Sequence, residues 1–429
     1  MPRMPVTDID KKIASLTTKL NNRAQGKGKK KNTELRVLAP LADSPNTYFL
    51  RRPSGIMPLD VHTGGGLPAG GLTYLSGPDG AGKTFCLYKY FAMNQKLYGK
   101  QSVVALAATE AAPDHFFMRK CGMQVRIPEV MISERVDEKK LRGEVPFTKE
   151  QLKAFREDDM GHVEIIRGAT GEAILHGMLE CFKSKTFDII GLDSVSACLP
   201  AAEAMKDLDD NAKRAAAASL LTRFFQHYLN GTTGYGGTNP TTVIFTSQVR
   251  ANPDKAKPGP AAMWAPDYVA IGAWAAKHGK LIDILLKYGK KEREEIAGDE
   301  KKEDGSYVKK KQIGKRVQYE ITKGKAGIHE GVTGEFLFNF ATTHEQMIDP
   351  NFRLTEDQRM ILVEAISCGT AQEANGFITV YDKALQPITG ATKIAGMDRL
   401  CEMMRADFDL ELRLRKAVLS AAGIECKYG

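Results

Sequence analysis

The sequence predicts an α/β protein built on a mostly parallel sheet, and three observations predict it. Apolar segments of strand length alternate with longer segments of helical period through the first half of the chain. One strand-to-helix junction carries a glycine loop of fixed spacing, Gly77-Pro78-Asp79-Gly80-Ala81-Gly82-Lys83-Thr84. Later strands follow one another with no helix between them, which adds an antiparallel hairpin extension to the sheet.

The strand candidates are Leu72–Leu75, Val103–Ala108, Val163–Ile166, Asp188–Asp193, Thr242–Ser247, Leu281–Tyr288, Val317–Thr322 and Glu335–Phe340. The helix candidates are Thr84–Tyr98, Asp114–Cys121, Glu172–Lys183 and Ala212–Leu229. In the first of these helices Leu87, Tyr90, Phe91 and Tyr98 share a face, and Gly99 stops it. A charged loop from Gly289 to Lys315 is expected between two late strands. Ahead of the core, Ile9, Ile13, Leu16 and Leu20 form the stripe of a short amphipathic helix, followed by the basic stretch Asn21 to Thr33. After Pro350 the pattern changes: Thr355–Ser367 reads as helix, Phe377–Leu385 as strand material and Gly396–Ala422 as helix. The expected domains are therefore 1–34, 35–349 and 350–429, the last a small α+β unit.

The glycine loop sits where its chemistry needs it, between the apolar run Leu72-Thr73-Tyr74-Leu75 and a helix. Glycines let backbone N–H groups wrap a phosphate at the positive end of the helix dipole. Lys83 can reach the β- and γ-phosphates, and the Thr84 hydroxyl can ligate Mg²⁺. The motif predicts binding of a nucleoside triphosphate.

Three further strand ends carry polar groups suited to that ligand. Phe187 to Ser194 is an apolar strand ending in Asp193, the carboxylate an NTPase needs beside Mg²⁺. Val103 to Glu110 ends in an acid able to orient or deprotonate an attacking water. Thr242 to Gln248 ends in an amide that can hydrogen-bond a γ-phosphate. Beyond it, Ala251 to Gly272 is a long segment rich in Pro, Gly, Lys and Ala with Met263, Trp264 and Tyr268 interleaved. Such a segment suits single-stranded nucleic acid, where bases stack and phosphates pair.

Composition bounds the rest. A net charge of +9, with basic clusters at Lys27, Lys29, Lys30 and Lys31 and at Lys309, Lys310 and Lys311, favours a polyanionic partner. No apolar run approaches a membrane span, and the charged start does not read as a secretory signal. Seven cysteines without a C-x-x-C pair fit a reducing cytoplasm and give no zinc pattern. Gly64-x-Gly66-x-x-Ala69 precedes its strand, so it is no dinucleotide fingerprint. Zincin and α/β-hydrolase motifs do not occur.

From about Ser54 to Phe340 the ordered set resembles the RecA recombinase family, including its phage UvsX-type members. Ser54-Gly55-Ile56-Met57-Pro58-Leu59-Asp60 and Gly65-Gly66-Leu67-Pro68-Ala69-Gly70 look like the family's lead-in to the phosphate loop. The resemblance implies that Glu110 is the catalytic glutamate and that Asp114 and Phe117 grip adenine, Phe117 replacing a stacking tyrosine. It places Phe85 just after the phosphate loop, and Asp193 and Ser194 on the Mg²⁺ side. It makes Gln248 the γ-phosphate sensor for a second DNA loop, about Val249 to Gly272, and puts Arg250 at a DNA-contacting position. Ser219 and Arg223 match phosphate contacts after a first DNA loop, about Ala201 to Lys213. Lys323 and Lys325 resemble a lysine pair that reaches a neighbour's ATP.

Departures are Ala111 where bacterial members carry histidine, Phe85 where they carry a second threonine, and two dissimilar DNA loops. Residues 1–34 resemble the bacterial and phage polymerisation helix, 35–349 the ATPase core, and 350–429 match only loosely. The implied protein is a cytoplasmic, ATP- and Mg²⁺-dependent recombinase. It forms homo-oligomeric helical filaments on single-stranded DNA and pairs that strand with homologous duplex. The rivals are a RecA-fold hexameric helicase, which the fold alone does not separate, and a mediator or paralogue that exchanges no strands.

Overall fold

Two layers of helix enclose one sheet, and the strand sequences dictate it. The computed structural model describes residues 11, 15 and 50–425. Excepted are 111–112, 142, 144–145, 157–160, 199, 202–213, 234–238, 253–254, 256–267, 271–278, 296–309, 342, 344, 347–348, 350, 382–386 and 389–392. The apolar stripe of the expected N-terminal helix, the basic stretch after it and most of both expected DNA loops lie outside the described residues.

The chain runs through β1 (Arg51–Arg52), α1 (Met57–His62), β2 (Leu67–Pro68), β3 (Leu72–Gly77) and α2 (Lys83–Tyr98). Next come β4 (Val103–Ala108), α3 (His115–Lys120), α4 (Glu129–Leu141), α5 (Lys149–Arg156) and β5 (His162–Ile166). They lead to α6 (Gly171–Ser184), β6 (Ile189–Asp193), α7 (Arg214–Thr233), β7 (Thr242–Ala251) and β8 (Tyr268–Ala270). The strands β9 (Lys280–Glu295), β10 (Lys310–Gly324) and β11 (Thr333–Asn339) complete a nine-stranded sheet of order β11-β10-β9-β3-β7-β6-β4-β5, with β8 on β7.

Strands β9 to β5 in that order are mutually parallel, while β9-β10-β11 at one edge and β8 on β7 pair antiparallel. The central strands are apolar on both faces. Leu75, Val104, Leu106, Ile189 and Ile244 point into a core with α2, while Tyr74, Ala105, Ile190, Leu192 and Phe245 point into a core with α6 and α7. Period-two alternation inside an all-apolar strand is what a sheet covered on both sides requires.

Helix α2 departs from the expectation of a single apolar face. It is buried from Phe85 through Gln95, because sheet, α3 and the C-terminal unit surround it. The described parts of the expected charged loop, 289–295 and 310–315, are strand. The backbone register runs from Glu295 opposite Lys310 to Ile282 opposite Gly324, which makes an extended β9–β10 arm. Helices α4 and α5, not anticipated, form a small satellite core of Phe116, Ile127, Ile132 and Phe155.

The C-terminal unit contains α8 (Asp357–Ser367), β12 (Ala371–Ala374), β13 (Phe377–Val380), β14 (Ile394–Ala395), α9 (Gly396–Ala406) and α10 (Phe408–Ala421). One continuous last helix was expected; Asp407 breaks it, its carboxylate accepting from Leu410 N at 3.1 Å to cap α10. The unit's core takes in Met57 of α1. Among the described residues no helix is long and apolar enough to cross a membrane.

Candidate active site

The carboxyl ends of parallel strands β3, β4, β6 and β7 open on one crevice, where ligands bind in open α/β sheets. β3 leaves no room for a side chain at its end: a Cβ on Gly77 would lie 2.6 Å from Leu286 O of β9. After Pro78 and Asp79 the loop turns through Gly80 and Gly82 at φ 68° and 98°, with Ala81 buried between them. Only glycine enters that left-handed region without strain. Gly82 is the N-cap of α2 and supplies no capping side chain, so the leading N–H groups of the helix remain for an anion.

Lys83 is the first residue of α2. Its Nζ donates to Gly77 O at 2.9 Å and Pro78 O at 2.8 Å and stands 3.9 Å from Asp79. Burial lowers its pKa against the pull of Asp79, Asp193 and Glu110. Thr84 Oγ1 donates to Asp193 Oδ2 at 2.7 Å, and Thr246 Oγ1 donates to Asp193 Oδ1 at 2.5 Å. Burial holds the Asp193 pKa above the ordinary carboxylate value, with Glu110 adding to it and the two hydroxyls and Lys83 opposing. A buried carboxylate and a hydroxyl on adjoining elements, in a place that disfavours uncompensated negative charge, form a hard oxygen pair that fits Mg²⁺.

Glu110 follows β4. Ser194 Oγ donates to Glu110 Oε1 and lies 2.8 Å from Ser196 Oγ. The ends of β4 and β6 are stitched together, Thr109 N donating to Asp193 O at 2.9 Å and Ser194 N to Thr109 Oγ1 at 2.7 Å. The Asp193–Ser194 peptide is cis. Lys83, Thr84, Glu110, Asp193 and Gln248 thus converge on one cleft of about 360 Å³, closed on another side by Phe117 and Phe338.

The remaining expected site residues lie around that cleft and beyond it. Asp114 is the N-cap of α3, accepting from Phe116 N at 2.9 Å and Phe117 N at 3.2 Å, and Phe117 meets Tyr88 edge-on at 5.9 Å. Phe85 lines the cleft and is buried against Phe336 and Phe338, ring centroids 5.9 and 4.9 Å away. Ser219 and Arg223 are exposed on α7, across the sheet from α2, with Arg223 facing a groove that also holds His176 and His227.

The segment after Gln248 begins as strand. β7 continues to Ala251 and pairs with β8, Arg250 lying exposed opposite Val269. Lys323 lies at the far end of β10 and Lys325 just past it. Lys323 pairs with Asp283, which pairs with Tyr74 near the start of β3, whereas Val317 lies beside Gly82. Lys323 lies six positions along the strand from Val317, roughly 20 Å. Burial lowers the Lys323 pKa, the charges of Lys325 and Lys280 add to that, and Asp283 and Glu330 oppose it. These acids are partners that the local sequence did not reveal.

Sequence reasoning passed over Thr246, whose signal was its place in the strand that ends at Gln248, and the role of Ser194 in holding Glu110. It also passed over Tyr288 and Lys315, which hydrogen-bond to Asp79 O and Gly80 O from the β9–β10 arm. A lone lysine in a basic run gives no signal.

No protein-family model matches the chain. Curated proteins do. The chain is 27% identical to the RecA protein of Nostoc punctiforme over 246 residues, which is 57% of this chain and 54% of that protein. It is 28% identical over 199 residues to the RecA proteins of Gloeobacter violaceus and Bacteroides thetaiotaomicron, 46% of this chain and 42% and 47% of theirs. The chain spans about half the length of the curated relatives it matches. Over that half the chain is similar to these RecA proteins, and its mostly parallel central sheet is consistent with a RecA-like core.

Proposed function

We propose that this chain is an ATP-dependent DNA recombinase that polymerises on single-stranded DNA and pairs it with homologous duplex. The observation that carries the reading is the convergence of Lys83, Thr84, Glu110, Asp193 and Gln248 on one cleft at the carboxyl edge of the sheet. The loop N–H groups and Lys83 bind the β- and γ-phosphates. Thr84 and Asp193 hold Mg²⁺, which when bound neutralises phosphate charge. Glu110, oriented by Ser194, takes the proton of the attacking water.

Gln248 touches the cleft and lies two residues before Arg250 on the same strand. A γ-phosphate contact at Gln248 therefore biases the β7–β8 hairpin, and the DNA-gripping state gains only what ATP's differential affinity supplies. Lys323 and Lys325 lie too far away to serve their own protomer's cleft, which supports a role in a neighbour's. A head-to-tail interface of that kind that does not close on rotation yields a filament. Phosphate contacts and stacking read any strand, so binding is not sequence-specific.

Electron microscopy with single-stranded DNA, ATP and Mg²⁺ tests the reading. Helical filaments that require ATP are expected; closed rings identify a hexameric motor instead. Filaments without strand exchange in a joint-molecule assay identify a paralogue.

A further inference from the structure

The β9–β10 arm passes beside the phosphate loop, and the described cations at 287–291 and 315–316 have three settings: Lys290 and Lys291 are exposed, Lys287 and Arg316 are ion-paired, and Lys315 lines the cleft. Lys287 binds Glu320 at 2.5 Å, and Arg316 binds Glu292 at 2.7 Å and Glu335 at 2.8 Å. Lys315, adjacent to Arg316, has no carboxylate within ion-pair distance among the described residues. Instead its Nζ donates to Gly80 O in the phosphate loop and stands 5.8 and 5.7 Å from the centroids of Tyr288 and Phe338. It is half-buried on the wall of the nucleotide cleft, and burial alone lowers its pKa. Retaining a half-buried, uncompensated ammonium is costly unless an anion comes to it.

Lys83 shows the same posture. It too rests on loop carbonyls, Gly77 O and Pro78 O, and enters the cleft from the helix side. Lys315 enters from the arm side, and the two ammoniums bracket the loop. A cation parked on a carbonyl exchanges that neutral acceptor for a phosphate oxygen when a polyphosphate arrives, and the charge-assisted bond is the stronger.

We infer that Lys315 is a second phosphate-binding cation of the cleft, supplied by the same protomer from the β9–β10 arm and directed at the nucleotide's phosphate chain. Tyr288, bonded to Asp79 O, holds the arm against the loop so that Lys315 reaches it. The inference rests on the nucleotide reading of the cleft and adds a group to it. It also gives the arm a function within its own protomer.

Lys315→Met keeps the aliphatic packing on the two rings and removes the charge. Binding of fluorescently labelled ATP, with unlabelled adenosine as competitor, reads the effect. Lys315→Met should weaken ATP by about tenfold or more. Adenosine competition and the melting temperature of the nucleotide-free protein should not change. Lys315→Gln should behave alike, and Lys315→Arg should restore most of the affinity. Wild-type ATP affinity in Lys315→Met or Lys315→Gln would overturn the inference and leave the nucleotide site standing. An equal loss of ATP and adenosine with a lowered melting temperature would also overturn it, in favour of packing. Failure of the wild-type chain to bind ATP at all would overturn both.

Discussion

Two lysines on one helix, six residues apart, have opposite surroundings. Lys83 at the start of α2 is held by two backbone carbonyls and faces an open cleft. Lys89, in the middle of the same helix, is 3% exposed and grips both oxygens of Asp357 at 2.6 and 2.5 Å. Around Lys89 the charges are all answered. Thr355 Oγ1 donates to Asp357 at 2.7 Å, Arg415 binds Glu411 at 3.0 Å and stands 3.7 Å from Asp60, and its Nη2 donates to Gly55 O at 3.1 Å. This seam clamps the C-terminal unit onto the lead-in to the phosphate loop. A charge completed inside the fold maintains structure; a charge left on carbonyls at a cleft awaits a ligand.

The comparison is broken most severely at Glu110. Glu110→Gln keeps the shape and removes the base, so ATP turnover should fall by about 10²–10⁴-fold while ATP binding persists. Wild-type turnover would show that Glu110 is not the base.

Asp357→Ala strands Lys89 in the interior and should lower unfolding stability by about 3–5 kcal/mol in a denaturant titration. The double change Lys89→Met with Asp357→Leu should recover much of that loss. Lys83→Met should do the reverse, leaving the nucleotide-free midpoint close to wild type while ATP binding is lost. A large stability loss in Lys83→Met would erase the distinction between the two lysines.

The seam should also carry an acid-titration signature. Against the effect of burial, the ammoniums of Lys89 and Lys96 bring Asp357 down to about 2 from an ordinary 3.8. Its contribution is therefore full above pH 3.8 and lost as pH falls through about 2. Burial raises Asp60 to about 6 despite Arg415 and Ser54, so its effect has the opposite sign. That contribution is full below pH 3.8 and lost as pH rises through about 6, roughly 3 kcal/mol in all. Unfolding free energy should thus rise as pH drops from 7 towards 5, and Asp60→Asn should flatten that slope. An unchanged slope would mean that Asp60 titrates normally.

The smallest expected effect on stability is at Asp193. Burial disfavours its charge in the nucleotide-free protein, so Asp193→Asn should raise the melting temperature slightly while abolishing Mg²⁺-dependent turnover. A lowered melting temperature would indicate that its bonds from Thr84 and Thr246 outweigh the burial penalty.

The sequence was most legible where the chemistry is local. Gly77 to Thr84 carries the phosphate site in one run, and apolar-centred strands leading to Glu110, Asp193 and Gln248 announce a parallel sheet with polar carboxyl ends. It was least legible where the partners are remote. Nothing near Lys89 announces Asp357, 268 residues later, and nothing near Asp60 announces Arg415. The same holds for the β9–β10 arm, whose charge density reads as loop while its backbone register sets Glu295 opposite Lys310. Helix α4 was missed because its charged residues obscure the apolar positions that pack on Phe116 and Phe155.

The central claim is that a neighbouring protomer completes the cleft, Lys83 and Glu110 coming from one side and Lys323 and Lys325 from the other. Single-stranded-DNA-stimulated ATP turnover in mixtures of two inactive variants tests it directly. Lys323→Ala with Lys325→Ala should leave a folded chain that binds ATP but turns it over poorly, and Lys83→Ala should lack its own nucleotide site. Mixed, the intact cleft of the first meets the intact lysines of the second, and turnover should reappear in proportion to mixed interfaces. No recovery in the mixture, or normal turnover by the double lysine variant alone, would contradict the account.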